Sequence, residues 1–266
     1  MSSHSPLIAA MLEAAFAAGE GLKRDFANIA QLQVRHKQGL DDMFSEADLH
    51  AEQTVREKLS SFRPDYGFLG EEGGLVPGSD PDNAWIVDPL DGTTNFLIGL
   101  PLFAVNIALA NQGRAIAGVT HIPLLNETFW AERGQGAYLN DQPIQVSSRR
   151  EMIEAVLSVG IPFASKPRHQ QFAADMERLT PRVSGIRRLG AAAIDMAYVG
   201  CGRFDAYWEQ SVNAWDIAAG VVIVEEAGGV VTDTLGKPLV LDNGTVLASV
   251  PALHSQLVGA IAPVDV

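Results

Sequence analysis

The chain has 266 residues, 47% of them apolar and 19% charged, with 25 Gly and 14 Pro; these proportions exclude disorder, collagen-like repeats and coiled coil, and suit one large domain or two closely packed ones. Nineteen basic against 32 acidic residues leave a net charge of −13, and the basic residues cluster only as the pairs Lys23/Arg24, Arg149/Arg150 and Arg187/Arg188, so direct nucleic-acid binding is not expected. No apolar run of about 18 residues and no basic-then-apolar leader occurs, so neither membrane insertion nor export is expected, and the lone Cys201 suits a reducing cytoplasm.

In chain order, Ser5 followed by Pro6 marks a helix entry, and apolar residues recurring at helical spacing from Leu7 to Phe26 predict a long amphipathic helix. A second helix is expected from Ser45. There Ser45-Glu46-Ala47-Asp48 resembles a capping box, Ala51, Val55, Leu59 and Phe62 form a buried stripe, and Pro64 ends it. From Tyr66 the period shortens. Apolar runs at 66–69, 85–87, 103–110, 115–122, 128–131 and 137–139, punctuated by turns such as Asn111-Gln112-Gly113 and Asn140-Asp141, predict an antiparallel meander rather than repeated βαβ units. Beyond Arg149, strands at 156–160, 183–187, 204–208, 230–232 and 246–249 alternate with helices at 169–179, 191–199, 215–227 and 252–261. Two subdomains are expected, residues 1–146 and 147–266.

The segment from Trp85 to Phe96, Trp-Ile-Val-Asp-Pro-Leu-Asp-Gly-Thr-Thr-Asn-Phe, carries the strongest chemical signal. An apolar strand runs into Asp88 and is expected to stop at Pro89, after which a turn opens a short helix near Asn95. Asp88 and Asp91, three residues apart with the Leu90 carbonyl between them, offer the oxygen donors that a hard divalent cation takes. The Gly92 and Thr93 N–H groups would offer an anion site beside it. The same composition also makes ordinary surface turns. Further acids change the balance: Glu71 and Glu72 follow the strand at 66–69, as a solvated loop or as ligand and base, and Asp216 opens an apolar helix, as a dipole-favoured acid or as a ligand. Gly134-Gln135-Gly136 has Leu139 where a dinucleotide fingerprint needs a third glycine, and reads as a hairpin. Cys201 reads as a buried, inert thiol.

Together these segments resemble the inositol monophosphatase family, Mg²⁺-dependent and often lithium-sensitive phosphatases, over nearly the whole chain. Gly70-Glu71-Glu72, the segment from Trp85 to Phe96, and Trp215-Asp216-Ile217-Ala218-Ala219-Gly220 with Glu226-Ala227-Gly228-Gly229 match its motifs. Asp42 to Asp48, with Lys37 eleven residues before Asp48, is similar to its Asp-x-Val-Thr-x-x-Asp but departs at Phe44 and Ser45. The resemblance implies an α+β fold, a layered αβαβα sandwich with N-terminal helices, a large antiparallel sheet and a C-terminal mixed α/β subdomain. It implies that Glu71, Asp88 and the Leu90 carbonyl hold one Mg²⁺, that Asp88, Asp91 and Asp216 hold a second, and that a third, weaker ion uses Glu71. Charge points the same way, because four carboxylates in one cleft cannot all stay ionised without cations.

The implied reaction is in-line attack on a phosphate monoester by a metal-activated water, with no phosphoenzyme. Glu71 and the Thr93 hydroxyl would position and deprotonate that water, and Asp48 would orient Thr93. The phosphate would meet the Gly92 and Thr93 amides beside Asp91 and Asp216. Gly190-Ala191-Ala192-Ala193 resembles the family's polyol-lining Gly-Thr/Ser-Ala-Ala, placing Gly190 and Ala192 at the substrate, while Ala191 lacks the usual hydroxyl. Glu209, seven residues before Asp216, matches the acid that accepts from inositol hydroxyls. The expected activity is hydrolysis of inositol 1-phosphate by a cytoplasmic homodimer. Fructose 1,6-bisphosphate, histidinol phosphate and 3′-phosphoadenosine 5′-phosphate are alternative substrates. A regulatory, protein-binding role in transcription is a further alternative, since some bacterial members are linked to ribosomal RNA synthesis.

Overall fold

The computed structural model describes residues 4–29, 34–36, 43–162, 164 and 168–261; Lys37 and Asp42 lie outside them, as does the Phe44 side chain. Helix α1 (Pro6–Phe26) begins as its sequence dictates, with Pro6 in the first turn and Ser5 Oγ accepting from Ile8 N at 3.1 Å. A short antiparallel pair, β1 (Val34–His36) and β2 (Met43–Ser45), was not expected. Ser45 closes β2 and caps α2 (Glu46–Phe62), where Asp48 Oδ2 accepts from the Ser45 N–H at 2.8 Å and Ser45 Oγ accepts from Ala47 N at 3.2 Å.

The middle of the chain forms β3 (Tyr66–Gly70), β4 (Gly74–Val76), β5 (Asp80–Asp91), the single-turn α3 (Thr93–Leu97), β6 (Ala104–Asn111), β7 (Arg114–Ile122), β8 (Glu127–Glu132), β9 (Ala137–Leu139) and β10 (Gln142–Pro143). They make one sheet in the order β10-β9-β8-β7-β6-β5-β3-β4, antiparallel as expected except where β3 runs parallel to β5. Pro89 does not end β5. Asp88 pairs with Asn106 and Asp91 with Ala104, so the register shifts and β5 carries one extra residue there, a bulge that tolerates proline.

The rest of the chain builds β11 (Val156–Val159), α4 (His169–Leu179), β12 (Gly185–Arg187), α5 (Ala192–Gly200), β13 (Ala206–Glu209), α6 (Ala214–Glu226), β14 (Val230–Thr232), β15 (Val246–Ser249) and α7 (Pro251–Ile261). The second sheet has the order β12-β11-β13-β15-β14 and is mixed, with β11 parallel to both its neighbours.

Five layers result, the expected αβαβα sandwich. One face of the large sheet packs Trp85, Val87 and Ile107 against Ile8, Met11 and Val55 of α1 and α2. Its other face packs Ala104 and Phe129 against Ile194, Ala218 and Val222 of α5 and α6. Those two helices also pack Met196, Ile217 and Val221 against Tyr207 and Ala248 of the second sheet. Beyond it lie α4 and α7, with Leu179, Leu253 and Leu257 against Leu157 and Trp208. A helix between two sheets must be apolar all round, which explains the Ala/Val composition of α6. Small residues let it approach closely: a Cβ on Gly118 of β7 would lie 2.6 Å from Ala219 backbone atoms.

One titratable group belongs to this core. His121 of β7 is 5% exposed, packs edge-on to Phe16 and hydrogen-bonds Thr128 Oγ1 through Nδ1 at 2.9 Å. Burial first, then Lys23, lowers its pKa from 6.5 to about 4. Its contribution is therefore fully present above about pH 6.5 and is lost as the pH falls toward 4, because the unfolded imidazole takes a proton that the folded one refuses. Between pH 7 and pH 5 the wild type should lose about 2 kcal/mol more stability than His121→Gln in urea unfolding; parallel pH profiles would contradict this.

Candidate active site

The parallel pairing of β3 with β5 sets the site. Gly70 lies opposite Val87, and the Glu71 N–H donates to the Val87 carbonyl at 3.1 Å, which brings Glu71 beside Asp88. The bulge then turns Asp91 to the same end of the sheet. Asp88 is 2% exposed, Asp91 8%, and the Leu90 side chain between them is buried. Gly92 follows with φ 90°, a conformation that favours glycine, and a Cβ there would meet the Leu102 carbonyl at 2.9 Å. That left-handed residue opens α3 at Thr93.

Each of the three aspartates accepts from a backbone N–H. Asp88 Oδ1 accepts from Leu90 N at 3.0 Å. Asp91 Oδ2 accepts from Ala193 N at 2.8 Å, across 102 residues of sequence. Asp216 Oδ2 accepts from Asn213 N at 2.6 Å, the capping box of α6. The Asp91 bond also settles a local problem. Ala191 stands at the cap of α5 with no side-chain oxygen to offer, and Asp91 supplies the missing acceptor from the neighbouring sheet. Thr93 Oγ1 lies 3.1 Å from Asp48 Oδ1 and 3.0 Å from the Leu90 carbonyl, so its single proton has two acceptors.

The electrostatics of the group are strongly unfavourable. Burial, followed by the charge of Glu71, Asp91 and Asp216, pushes the Asp88 carboxyl well above its ordinary range. Glu71 stands close enough to Asp88 for its charge to be the largest contribution after burial. Burial raises Asp91 to about 7, with Glu71 and Glu209 adding to it. Asp216 is raised well above its ordinary value by burial and then by Glu71. Asp48 is raised to about 6 by burial, against the Ser45 hydrogen bonds that lower it.

Among the described residues no three acid, His or Cys side chains stand close enough together to enclose an ion. The donor chemistry nonetheless fits a hard cation, because the acids and the Leu90 carbonyl offer oxygen alone. The elevation of the three aspartates is the kind that positive charge relieves.

The second sheet brings its own residues to this end. Glu209 closes β13, and its charge acts on Asp91 and Asp216. Sequence reasoning missed what holds it. The buried Tyr207 hydroxyl donates to Glu209 Oε2. A Cβ on Gly160 would sit 1.7 Å from the same oxygen, so glycine leaves the space that the carboxylate fills. The two-residue alternation of Tyr207 and Glu209 along one strand face was the available signal. Gly190 has φ 82°, and Asn95 Nδ2 ties its neighbourhood to α3 through the Leu189 and Leu102 carbonyls, each at 2.8 Å. Ala192 is the first residue of α5. Asn106 Nδ2 donates to the Trp215 carbonyl at 2.7 Å, joining the start of α6 to β6. Cys201 is half-buried, and burial raises its thiol pKa.

Comparison with known proteins gives the family and the fold. The inositol monophosphatase family model matches residues 3–264. The chain is 49% identical over 251 residues to a Caulobacter vibrioides protein named inositol-1-monophosphatase, spanning 93% of this chain and 97% of that one. It is 39% identical over 262 residues to the Nus factor SuhB of Pseudomonas aeruginosa, spanning 97% and 96%. The crystal structure of extragenic suppressor protein suhB from Bartonella henselae matches its fold with a TM-score of 0.94 at 43% identity, covering 97% of this chain and 99% of that one. The chain belongs to the inositol monophosphatase family, and it is a phosphatase.

Proposed function

We propose that the protein hydrolyses inositol 1-phosphate to inositol and phosphate in a Mg²⁺-dependent reaction. The observation that carries this reading is the group Glu71, Asp88, Asp91 and Asp216, in which burial and the charge of Glu71 raise the proton affinity of the three aspartates at the meeting of two strand ends and a helix start. Glu71, Asp88 and the Leu90 carbonyl would hold one ion, Asp88, Asp91 and Asp216 a second, and Glu71 a weaker third. The bound cations would supply positive charge at the phosphate and make water a competent nucleophile at neutral pH.

The chain's own groups do the rest. Glu71 and the Thr93 hydroxyl orient the attacking water, whose proton passes to Glu71 or, as Thr93 hands its own proton on, to Asp48, which also fixes the direction of the hydroxyl. The Gly92 and Thr93 amides receive phosphate oxygens. Glu209 accepts from a polyol hydroxyl while Tyr207 holds its other side, and Gly190 and Ala192 line the ring. In this reading residues 1–146 carry most metal ligands, and residues 147–266 carry the substrate residues and Asp216. A cytoplasmic homodimer, inhibited by Li⁺, completes the proposal.

A second role in transcription is suggested by relatives named Nus factor SuhB. Capture of transcription proteins from lysate by a catalytically dead variant, absent with an unrelated acidic protein, would support it.

Phosphate release should be measured on inositol 1-phosphate, glycerol 2-phosphate, fructose 1,6-bisphosphate, histidinol phosphate and 3′-phosphoadenosine 5′-phosphate, with Mg²⁺, with EDTA and with Li⁺. The expected result is Mg²⁺-dependent turnover that is fastest on inositol 1-phosphate and suppressed by Li⁺. Preference for another ester would move the substrate. No turnover on any would overturn the reading. Asp91→Asn should abolish turnover while keeping the fold, because the amide oxygen can still accept from Ala193 N; near-normal turnover would contradict the ligand assignment. Glu209→Ala should raise KM for inositol 1-phosphate more than for a small aryl phosphate, and Tyr207→Phe should do so to a lesser degree. Equal losses on both substrates would mean that Glu209 does not read the polyol.

A further inference from the structure

Glu52 lies four residues after Asp48, one turn further along α2, and is 7% exposed. Both of its oxygens are taken by consecutive backbone N–H groups of the loop that carries Glu71: Oε2 accepts from Glu72 N at 2.9 Å and Oε1 from Gly73 N at 2.8 Å. The sequence of the loop is cut to fit this carboxylate. A Cβ on Gly70 would stand 2.3 Å from Glu52 Oε2, and one on Gly73 would stand 2.6 Å from Oε1. Glu71 is thus fixed on both sides, its own N–H on the Val87 carbonyl and the next two N–H groups on Glu52.

We propose that Glu52 is a positioning residue for the reaction: a two-pronged clamp that fixes the backbone of the Glu71 loop and thereby aims the Glu71 carboxylate at its cation. The inference rests on the reading of Glu71 as a metal ligand. It makes α2 the common support of both arms of the site, since Asp48 on the same helix holds Thr93. Charge-assisted bonds from a buried carboxylate to backbone N–H groups are strong and directional, and support of this kind sets how well a ligand is preorganised. The carboxylate is required in full. Glutamine offers one acceptor and one NH₂ donor to two N–H groups, so it loses one bond and sets a donor against a donor.

The test compares the wild type, Glu52→Gln and Val55→Ala by Mg²⁺ titration, read both as thermal stabilisation and as phosphate release, together with amide hydrogen exchange at residues 72 and 73. Val55 is buried one turn along the same helix and has no polar side-chain atom to offer the loop, so it reports simple loss of packing. Glu52→Gln should raise the Mg²⁺ concentration at the midpoint roughly tenfold or more in both readouts, with much of the turnover restored at saturating Mg²⁺ and faster exchange at 72 and 73. Val55→Ala should lower the melting temperature without moving the Mg²⁺ midpoint. A wild type that responds to Mg²⁺ beside a Glu52→Gln midpoint equal to that of Val55→Ala would overturn the clamp alone. A wild type with no response to Mg²⁺ would overturn the metal reading and the clamp with it.

Discussion

Uncompensated negative charge is the constraint around which this structure is organised. Asp88 and Asp91 are almost wholly buried, and Glu71 and Asp216 add charge from either side. A group of this kind is unfavourable in the folded chain, because folding brings together charges that the unfolded chain keeps apart in water. The protein therefore keeps at this end of the large sheet an arrangement that its fold opposes. The surrounding structure holds the acids in place regardless, with a backbone N–H on Asp88, Asp91 and Asp216 and the Glu71 backbone tied to the Val87 carbonyl. Strain of this sort is expected at a functional site that must be ready for a cation.

The layers explain how acids from distant parts of the chain reach one place. β3 and β5 run parallel, so Glu71 follows its strand beside Asp88, while α5 and α6 share the space between the two sheets. Several contacts join the halves. Asp91 of the first sheet caps α5, Asn106 holds the start of α6, and Asn95 reaches the Leu189 carbonyl. The acid that would bind metal is thus also the one that completes the start of α5. A change in its charge is placed to be felt by both.

Much of this was legible in the chain. The end of β3 was, because the apolar run stopping at Gly70-Glu71 marks a strand end whatever the strand pairs with. So were the Ser45 cap and the apolar helix after Asp216, since both depend on residues within one turn. The continuation of β5 through Pro89 was not, because a bulge exists only relative to the partner strand, here β6. The short edge strands β4 and β10 escaped for the same reason, having too few residues to show a period. Glu52 was invisible because its partners are backbone amides of another segment, and any sequence there has amides. What Ala191 implied was read as a missing hydroxyl toward substrate; its structural consequence, a helix cap supplied by Asp91, needed the fold to appear.

The central claim is that these acids await positive charge, and thermal unfolding tests it most directly. The wild type and Asp91→Asn should be melted in EDTA and in Mg²⁺ at neutral pH. In EDTA the variant should be the more stable of the two, since it carries one buried charge fewer. Mg²⁺ should raise the melting temperature of the wild type, by about 2.7 kcal/mol of stability at a hundredfold excess over the dissociation constant, and should raise that of Asp91→Asn much less. A wild type indifferent to Mg²⁺, or an Asp91→Asn less stable than the wild type in EDTA, would contradict the account.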